Sequence, residues 1–317
     1  MADRELVGII LAAGDSTRMK SETPKVLHPI LGHPMLEYII KSLRGTGIKK
    51  LLVVIGFKKE KVVNMFRDFD IEFVTQEERL GTAHAVLQTL PFLAGLNGDC
   101  IITCGDTPLI RKQTLRDIYQ KHIDESADLT ILTAHLDNPT GYGRIMRDER
   151  GRVAGIVEEK DATKEQRNIK EVNTGIYCFK IEILFNLLDR IGNENKQGEY
   201  YLTDCVSLAR NEGLNISNHL LEESLEIYGV NNRVELAFVS DLVRKKKLET
   251  LMLNGVTIID PKTTYIGSDV IIGRDTIISP CVVIEGKTVI GKECVVNPFT
   301  YIKDLHIGDG EVFGKSK

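Results

Sequence analysis

Residues 11–19 read Leu-Ala-Ala-Gly-Asp-Ser-Thr-Arg-Met, and Pro24-Lys25 follow a few positions later. Three small residues in a row, Ala12, Ala13 and Gly14, let a backbone approach a ligand that bulkier side chains would hold off. Successive backbone N–H groups in such a loop form a concavity for phosphate oxygens, and Arg18 and Lys25 add positive charge beside it. The chemistry this suits is the holding of a nucleoside triphosphate. The segment is not a Walker loop, since no Gly-Lys-Ser/Thr closes it, and it lacks the spaced glycines of a dinucleotide-binding turn. On these residues alone, an ordinary strand-to-helix turn built of small residues is the other reading.

A phosphate loop needs a rigid strand behind it, and the apolar run 6–11 predicts one. Further strands are expected at 51–55, 71–75 and 101–104, separated by helices at 35–44, 59–68, 82–90 and 114–123. Near-continuous apolar strands alternating with helices predict an α/β domain with a mostly parallel, Rossmann-like sheet covered on both faces. Ligands bind beyond the carboxyl ends of such strands, where the 12–18 loop and the Gly105-Asp106 turn both fall. Segments 127–136, 143–147, 153–159 and 173–180 are rich in β-formers and are expected to extend the sheet into one wall of a cleft.

A charged helical stretch at 234–253 reads as a connecting helix, with Arg244-Lys-Lys-Lys247 on a solvated face. Beyond it the period changes to six: Ile266, Ile272, Ile278, Ile284, Ile290, Val296 and Ile302, with Gly267, Gly273 and Gly291 after three of them. Strict hexads of aliphatics are the signature of a parallel β-helix, each hexad forming one face of a coil. The register slips by one at Ile307-Gly308, which predicts a distorted corner or a tight turn. About three coils make a small core, so packing on the helix or on other subunits is expected to support them. The expected division is an α/β domain at 1–232, a connecting helix at 233–254 and a short β-helix at 255–317.

The 317 residues carry a formal net charge of −4, which argues against a general nucleic-acid binder. No apolar stretch approaches the length of a membrane span. The six cysteines lack paired CxxC spacing and lie mostly in apolar runs, so buried free thiols in a reducing cytoplasm are expected. Cys100 and Cys104 fall on one face of an expected strand, where core packing is the reading set against a redox pair.

Taken in order, the motifs resemble the bacterial N-acetylglucosamine-1-phosphate uridyltransferase family, usually the amino-terminal half of a bifunctional protein. The resemblance spans nearly the whole chain. It rests on the 11–19 loop, Pro24-Lys25, Gln76 with Leu80-Gly-Thr-Ala-His-Ala85, and Gly105-Asp106. It continues through Gly141-Tyr-Gly-Arg-Ile145, Val157-Glu158, Lys160-Asp161, Asn173-Thr-Gly175, Glu199-Tyr-Tyr-Leu-Thr-Asp204 and Gly229-Val-Asn-Asn-Arg233. What the resemblance implies is a UDP-N-acetylglucosamine diphosphorylase: a sugar 1-phosphate oxygen attacks the α-phosphorus of UTP, expels pyrophosphate, and yields a precursor of the cell-wall peptidoglycan. Such a transfer needs positioning and charge neutralisation more than a protein nucleophile.

By resemblance, Arg18 and Lys25 are the catalytic cations, with Leu11, Ala12, Ala13, Gly14 and the backbone of 13–18 on the nucleotide. Asp106 and Asn231 are implied to bind Mg²⁺, a cation that rarely sits in an all-protein cage. Read without the family, Asp106 is a turn residue and Asn231 a helix N-cap. Uracil falls to Gln76 and Gly81, whose other readings are a polar strand end and a helix opening. Thr82 suits N-capping, with a nucleotide contact as a further role, while His84 on the same helix is given no chemistry. The sugar is implied to meet Gly143, Glu158, Asn173, Tyr201 and Thr203; Glu158 could otherwise belong to a solvated charge cluster.

One departure is Cys104, where many relatives have Tyr, so sugar specificity is less determined than nucleotidyl transfer. In bifunctional relatives a longer left-handed β-helix carries acetyl transfer, and no acetyltransferase activity is expected of this polypeptide. Other readings are a nucleotidyltransferase for another hexose 1-phosphate or dTTP, and a non-catalytic scaffold subunit. A homo-oligomer, a trimer by resemblance, is the expected assembly.

Overall fold

The structure, a computed structural model, describes residues 4–14 and 17–314. Contacts divide the chain into two units: residues up to Leu27 together with Met35–Gly229, and His28–Pro34 together with the chain from Val230 onward. In chain order, the first unit begins with β1 (Glu5–Leu11). The hairpin β2 (Pro29–Ile30) and β3 (His33–Pro34), which follows in the chain, belongs to the second unit. The first unit then resumes with α1 (Met35–Arg44), β4 (Lys50–Ile55), α2 (Lys59–Met65), β5 (Glu72–Thr75), α3 (Thr82–Leu87), α4 (Leu90–Leu93), β6 (Gly98–Cys104) and α5 (Lys112–Asp124). It closes with β7 (Leu129–His135), β8 (Arg144–Arg147), β9 (Val153–Val157), β10 (Glu171–Lys180), α6 (Ile181–Leu188), α7 (Asp204–Asn211) and β11 (Ile216–Leu221).

The nine strands form one mixed sheet in the order β11-β7-β10-β6-β1-β4-β5, with β8 on β10 and β9 on β8. β6, β1, β4 and β5 run parallel, as do β11 and β7, while β10 is antiparallel to both its neighbours. Val7, Ile9, Leu52, Val54, Cys100 and Ile102 enter the core on one face. Ile10, Leu51, Val53, Ile55 and Ile101 enter the core on the other. Both faces are covered, so alternate side chains are apolar in either direction and the strands read as unbroken hydrophobic runs.

Three differences from the sequence reading have local causes. The helix expected over 82–90 breaks into α3 and α4, because Pro91 lacks the N–H that would continue it. Helices α6 and α7 and strand β11 were not foreseen, their apolar runs being short. The pairing of β10 with β7 shifts register between Asn173 and Tyr177, with Gly175 at φ +77° and the Thr174 hydroxyl donating to Leu132 O at 2.8 Å. Such a bulge re-aims the residues around it.

The second unit contains α8 (Arg233–Leu253) and the hexad region. Short parallel strands stack in three columns; one runs Tyr265–Ile266, Val283–Glu285, Tyr301–Lys303. Ile266 pairs with Ile284 and Ile284 with Ile302, eighteen residues apart each time. Ile290, however, pairs with Ile307, so one residue is missing from that coil and the corner passes through Asp304 at φ +52°. All seven hexad aliphatics and Ile307 are buried in one core with Leu248 and Leu251 of α8. This short parallel β-helix is thus supported by the helix, as its small size requires. The basic run is not wholly a solvated face: Arg244 is buried and donates to Thr264 O at 3.1 Å, and Lys247 donates to Ser268 O and Val270 O at 3.0 and 2.8 Å. These cations satisfy carbonyls at turns of the coil, while Lys245 and Lys246 stay exposed.

Candidate active site

The loop after β1 is set by its neighbours. Ala12 N donates to Val54 O and Gly105 N to Leu11 O, both at 2.8 Å, which extends the sheet just past the ends of β1 and β6. A Cβ on Gly105 would lie 3.1 Å from Ala12 Cβ and 3.2 Å from Leu11 O, so these two strand ends come together only over small residues. Beyond them opens a cavity of about 340 Å³. Its walls include Leu11, Ala12, Ala13, Gly14, Lys25, Gln76, Gly81, Thr82, Cys104 and Asp106.

Lys25 and Asp106 are 81 positions apart, and the Lys25 ammonium pairs with Asp106 Oδ2 at the cavity wall. Arg18 is exposed in the turn Thr17–Met19 and is not among the lining residues. Asp15 and Ser16, part of the expected phosphate-binding backbone, lie outside the described residues. Arg79 and Phe57 line the same cavity and were missed by sequence reasoning; a basic side chain two residues before Gly81 was the available signal.

Gln76 directly follows β5, whose pairing with β4 is continued by a 2.8 Å bond from Gln76 N to Ile55 O. Its Nε2 donates to Gly81 O at 3.1 Å and lies 3.0 Å from His84 Nδ1. Gly81 has φ +113°, and a Cβ there would fall 2.4 Å from Tyr200 O. That close approach lets Tyr200 N donate to Leu80 O at 2.7 Å and Ala83 N to Tyr200 O at 2.9 Å. Thr82 is not the N-cap of α3, a position held by Gly81; its hydroxyl instead accepts from Leu202 N at 3.0 Å. The 80–83 turn and the 200–202 segment are therefore stitched together, which explains why both motifs are needed at one site.

A second cavity of about 210 Å³ adjoins the first, and Leu11, Thr82 and Cys104 line both. Gly143, Glu158, Asn173 and Thr203 meet there. Glu158 follows β9 and accepts from the Thr203 hydroxyl at 3.1 Å; burial, opposed by that bond and helped by Asp204 and Asp161, raises its carboxyl above the ordinary value. Glu158 therefore points inward, in contrast to Glu159, which pairs with Arg144 at 2.7 Å. The β10 bulge turns Asn173 so that its Oδ1 accepts from Gly175 N at 3.1 Å. Tyr201 lines a neighbouring hollow with Asp161 and Asp204, its hydroxyl accepting from Gln197 Nε2 at 2.6 Å, and does not line the second cavity.

All six cysteines are free. Cys100 is buried in the core, whereas Cys104 ends β6 in the wall shared by the two cavities. Burial, with Asp106 nearby, pushes the Cys104 thiol up to about 12. A raised thiol pKa favours the protonated form in this wall.

Among the described residues no group of three or more His, Cys, Asp and Glu side chains could hold a metal ion. Two carboxylate residues, Asp106 and Glu199, line the first cavity, and the Asp106 side chain is 23% exposed. In the second unit Asn231 is not the helix cap: Asn232 accepts from Val234 N and Glu235 N, while Asn231 N donates to Glu235 Oε2 at 2.6 Å.

Two joined cavities beyond the carboxyl ends of β1 and β6, one lined by a small-residue loop and a lysine–aspartate pair, are those of an enzyme handling nucleotides. Residues 7–224 match the sequence profile of the family described as nucleotidyl transferase, and the chain belongs to that family. Among curated proteins it is similar to the bifunctional protein GlmU of Geobacillus sp. strain WCH70, with 49% identity over 95% of this chain and 66% of that protein. GlmU of Carboxydothermus hydrogenoformans is 48% identical over 95% of this chain and 67% of its own length. GlmU of Geobacillus thermodenitrificans is 46% identical over 95% and 65%. The chain thus spans about two thirds of the length of the curated relatives it matches. A solved structure from Bacillus anthracis, assigned as a glucose-1-phosphate thymidylyltransferase, superposes with a TM-score of 0.60 at 20% identity, covering 75% of this chain and 94% of that one, and shares the fold.

Proposed function

We propose that this chain transfers UMP from UTP to N-acetylglucosamine 1-phosphate, releasing pyrophosphate. The observation that carries this reading is the pair of cavities meeting at Leu11, Thr82 and Cys104, one with a phosphate-loop wall and the other with Glu158, Asn173 and Thr203. Uridine triphosphate occupies the first and the sugar phosphate the second, which brings the attacking phosphate oxygen to the α-phosphorus at their junction. Attack in line expels pyrophosphate toward the 12–18 loop. Lys25 and Arg18 offset charge on the triphosphate and on the transition state. Asp106 is the residue of the first unit that would hold Mg²⁺, an ion that would supply neutralisation of phosphate charge. Gln76 and the backbone at Gly81 read the uracil, with Ala12 against the base; Glu158, Asn173, Gly143, Thr203 and Tyr201 serve the sugar.

Cys104 favours a second reading within the same class. A short thiol in the shared wall leaves the sugar less enclosed than an aromatic ring would, which admits other hexose 1-phosphates. A panel of UTP, dTTP, CTP and ATP against several sugar 1-phosphates, read by pyrophosphate release, tests both. Preference for UTP with N-acetylglucosamine 1-phosphate is the expected result; preference for CTP or ATP overturns the base assignment. The β-helix is the element we propose for self-association, as a trimer. Sedimentation at micromolar concentration should then give three times the mass of the chain, and a monomer alone would contradict it.

A further inference from the structure

The motif Gly141-Tyr-Gly-Arg-Ile145 supplies more than one glycine to the second cavity. Gly141, Tyr142 and Gly143 all line it, and they lead into β8, whose first residue is Arg144. Two glycines in three residues, with Gly141 at φ +89°, give this loop little stiffness of its own. What holds it lies behind the wall. Arg144 is buried, with 1% of its surface exposed, and its guanidinium donates to Tyr142 O through Nη1 and to Glu159 Oε2 through Nη2, the latter at 2.7 Å. The same Glu159 oxygen accepts from Gly141 N at 3.2 Å. The ion pair thus grips two consecutive residues of the loop, one by its N–H and the next by its carbonyl.

Both members of the pair adjoin groups assigned to the sugar. Arg144 follows Gly143, whose carbonyl accepts from Asn173 N at 2.9 Å. Glu159 follows Glu158, and a Cβ on Gly143 would stand 3.4 Å from both Glu158 carboxylate oxygens. A shift of the loop would therefore move Gly143 against Glu158 and Asn173 together. A planar guanidinium meets a carboxylate and a carbonyl at once, where an ammonium is a single point of charge. An apolar pair would fill the same space without the cost of desolvating a charge, so stability alone does not account for an arginine held there.

We propose that Arg144 and Glu159 are positioning residues for the sugar 1-phosphate: the pair sets the 141–143 loop against Glu158 and Asn173 and touches no substrate itself. Neither residue lines the first or the second cavity. This inference rests on the assignment of the second cavity to the sugar.

The test removes both partners at once, in R144M/E159M, because removing Glu159 alone would strand a buried guanidinium. Turnover is read as pyrophosphate release while UTP and N-acetylglucosamine 1-phosphate are varied in turn. The double variant is expected to melt within a few degrees of wild type, to raise KM for the sugar phosphate about tenfold, and to leave KM for UTP within about twofold. R144K keeps a cation for Glu159 but not the fork, and an intermediate rise of about threefold is expected. A wild-type sugar-phosphate KM in the double variant, or equal rises for both substrates, would overturn the positioning role. Should that variant fail to fold, R144K decides by the same comparison. Amide exchange gives a readout that needs no turnover. The Gly141 N–H should exchange faster in the double variant, and unchanged exchange would refute the grip on the loop. A wild-type protein that releases no pyrophosphate from UTP with any sugar 1-phosphate would instead refute the functional reading itself.

Discussion

Lys25 and Asp106 hold each other in the wall of the first cavity, and each is positioned by the end of a different element. Removing the Asp106 carboxylate deletes the acidic oxygen donor paired with Lys25 in that cavity, in a side chain that is partly exposed. Asp106→Ala should therefore leave the thermal midpoint within a few degrees of wild type while lowering turnover at least a hundredfold at ordinary Mg²⁺ levels. Near-normal pyrophosphate release from that variant would overturn the role proposed for Asp106. Glu158 makes a pH-dependent prediction. Its carboxyl is raised by burial above the ordinary 4.5, so in the window just above that value the folded protein binds more protons here than the unfolded chain does. The contribution of this group to stability falls as pH rises through the window and is fully lost once the folded form ionises. Glu158→Gln stays neutral and should gain stability relative to wild type with rising pH, as melting curves from pH 4.5 upward would register; a constant difference would show that Glu158 is not held in a desolvated state.

At the scale of elements, the site depends on the joining of the 80–83 turn to the 200–202 segment. Gly81 combines φ +113° with backbone atoms of Tyr200 where a Cβ would have to stand. Gly81→Ala is expected to cost about 2–4 kcal/mol in chemical denaturation and to impair turnover through a displaced Gln76. An alanine variant with wild-type stability would mean that this approach is looser than the structure has it. In the second unit, the hexad aliphatics share a narrow core with only two leucines of α8 to help close it. Ile284→Ala, at the centre of a column, should cost about 2–5 kcal/mol, and hydrogen exchange should quicken across 257–313 more than in the nine-stranded sheet. Uniform quickening over both units would contradict their separate cores.

Across the whole molecule, 317 residues carry two architectures with different periods, and each was legible because its period is local. Side-chain direction repeats along a strand or a coil, so the apolar runs at 6–11 and 101–104 and the six-residue spacing from Ile266 to Ile302 announce a buried sheet and a β-helix with no knowledge of distant contacts. The missing residue in the coil between Ile290 and Ile307 was readable in the same way. Among the described residues, no helix is long and apolar enough to cross a membrane. The order of site motifs was also visible, and several follow a strand end: the 12–14 loop after β1, Gln76 after β5, Gly105-Asp106 after β6 and Glu158 after β9. What tertiary structure alone decided is which of them meet. Strand order puts β6 beside β1 and β10 beside β6, and that order brings Lys25 to Asp106, Asn173 to Gly143 and Cys104 into a wall shared by two cavities. It also separated Tyr201 from the second cavity, buried Arg244 in what read as a solvent-facing run, and turned His84 from an unremarkable helix residue into the partner of Gln76. Periodicity constrains the direction of a side chain relative to its own backbone; the identity of its neighbour depends on long-range packing, which no local pattern encodes.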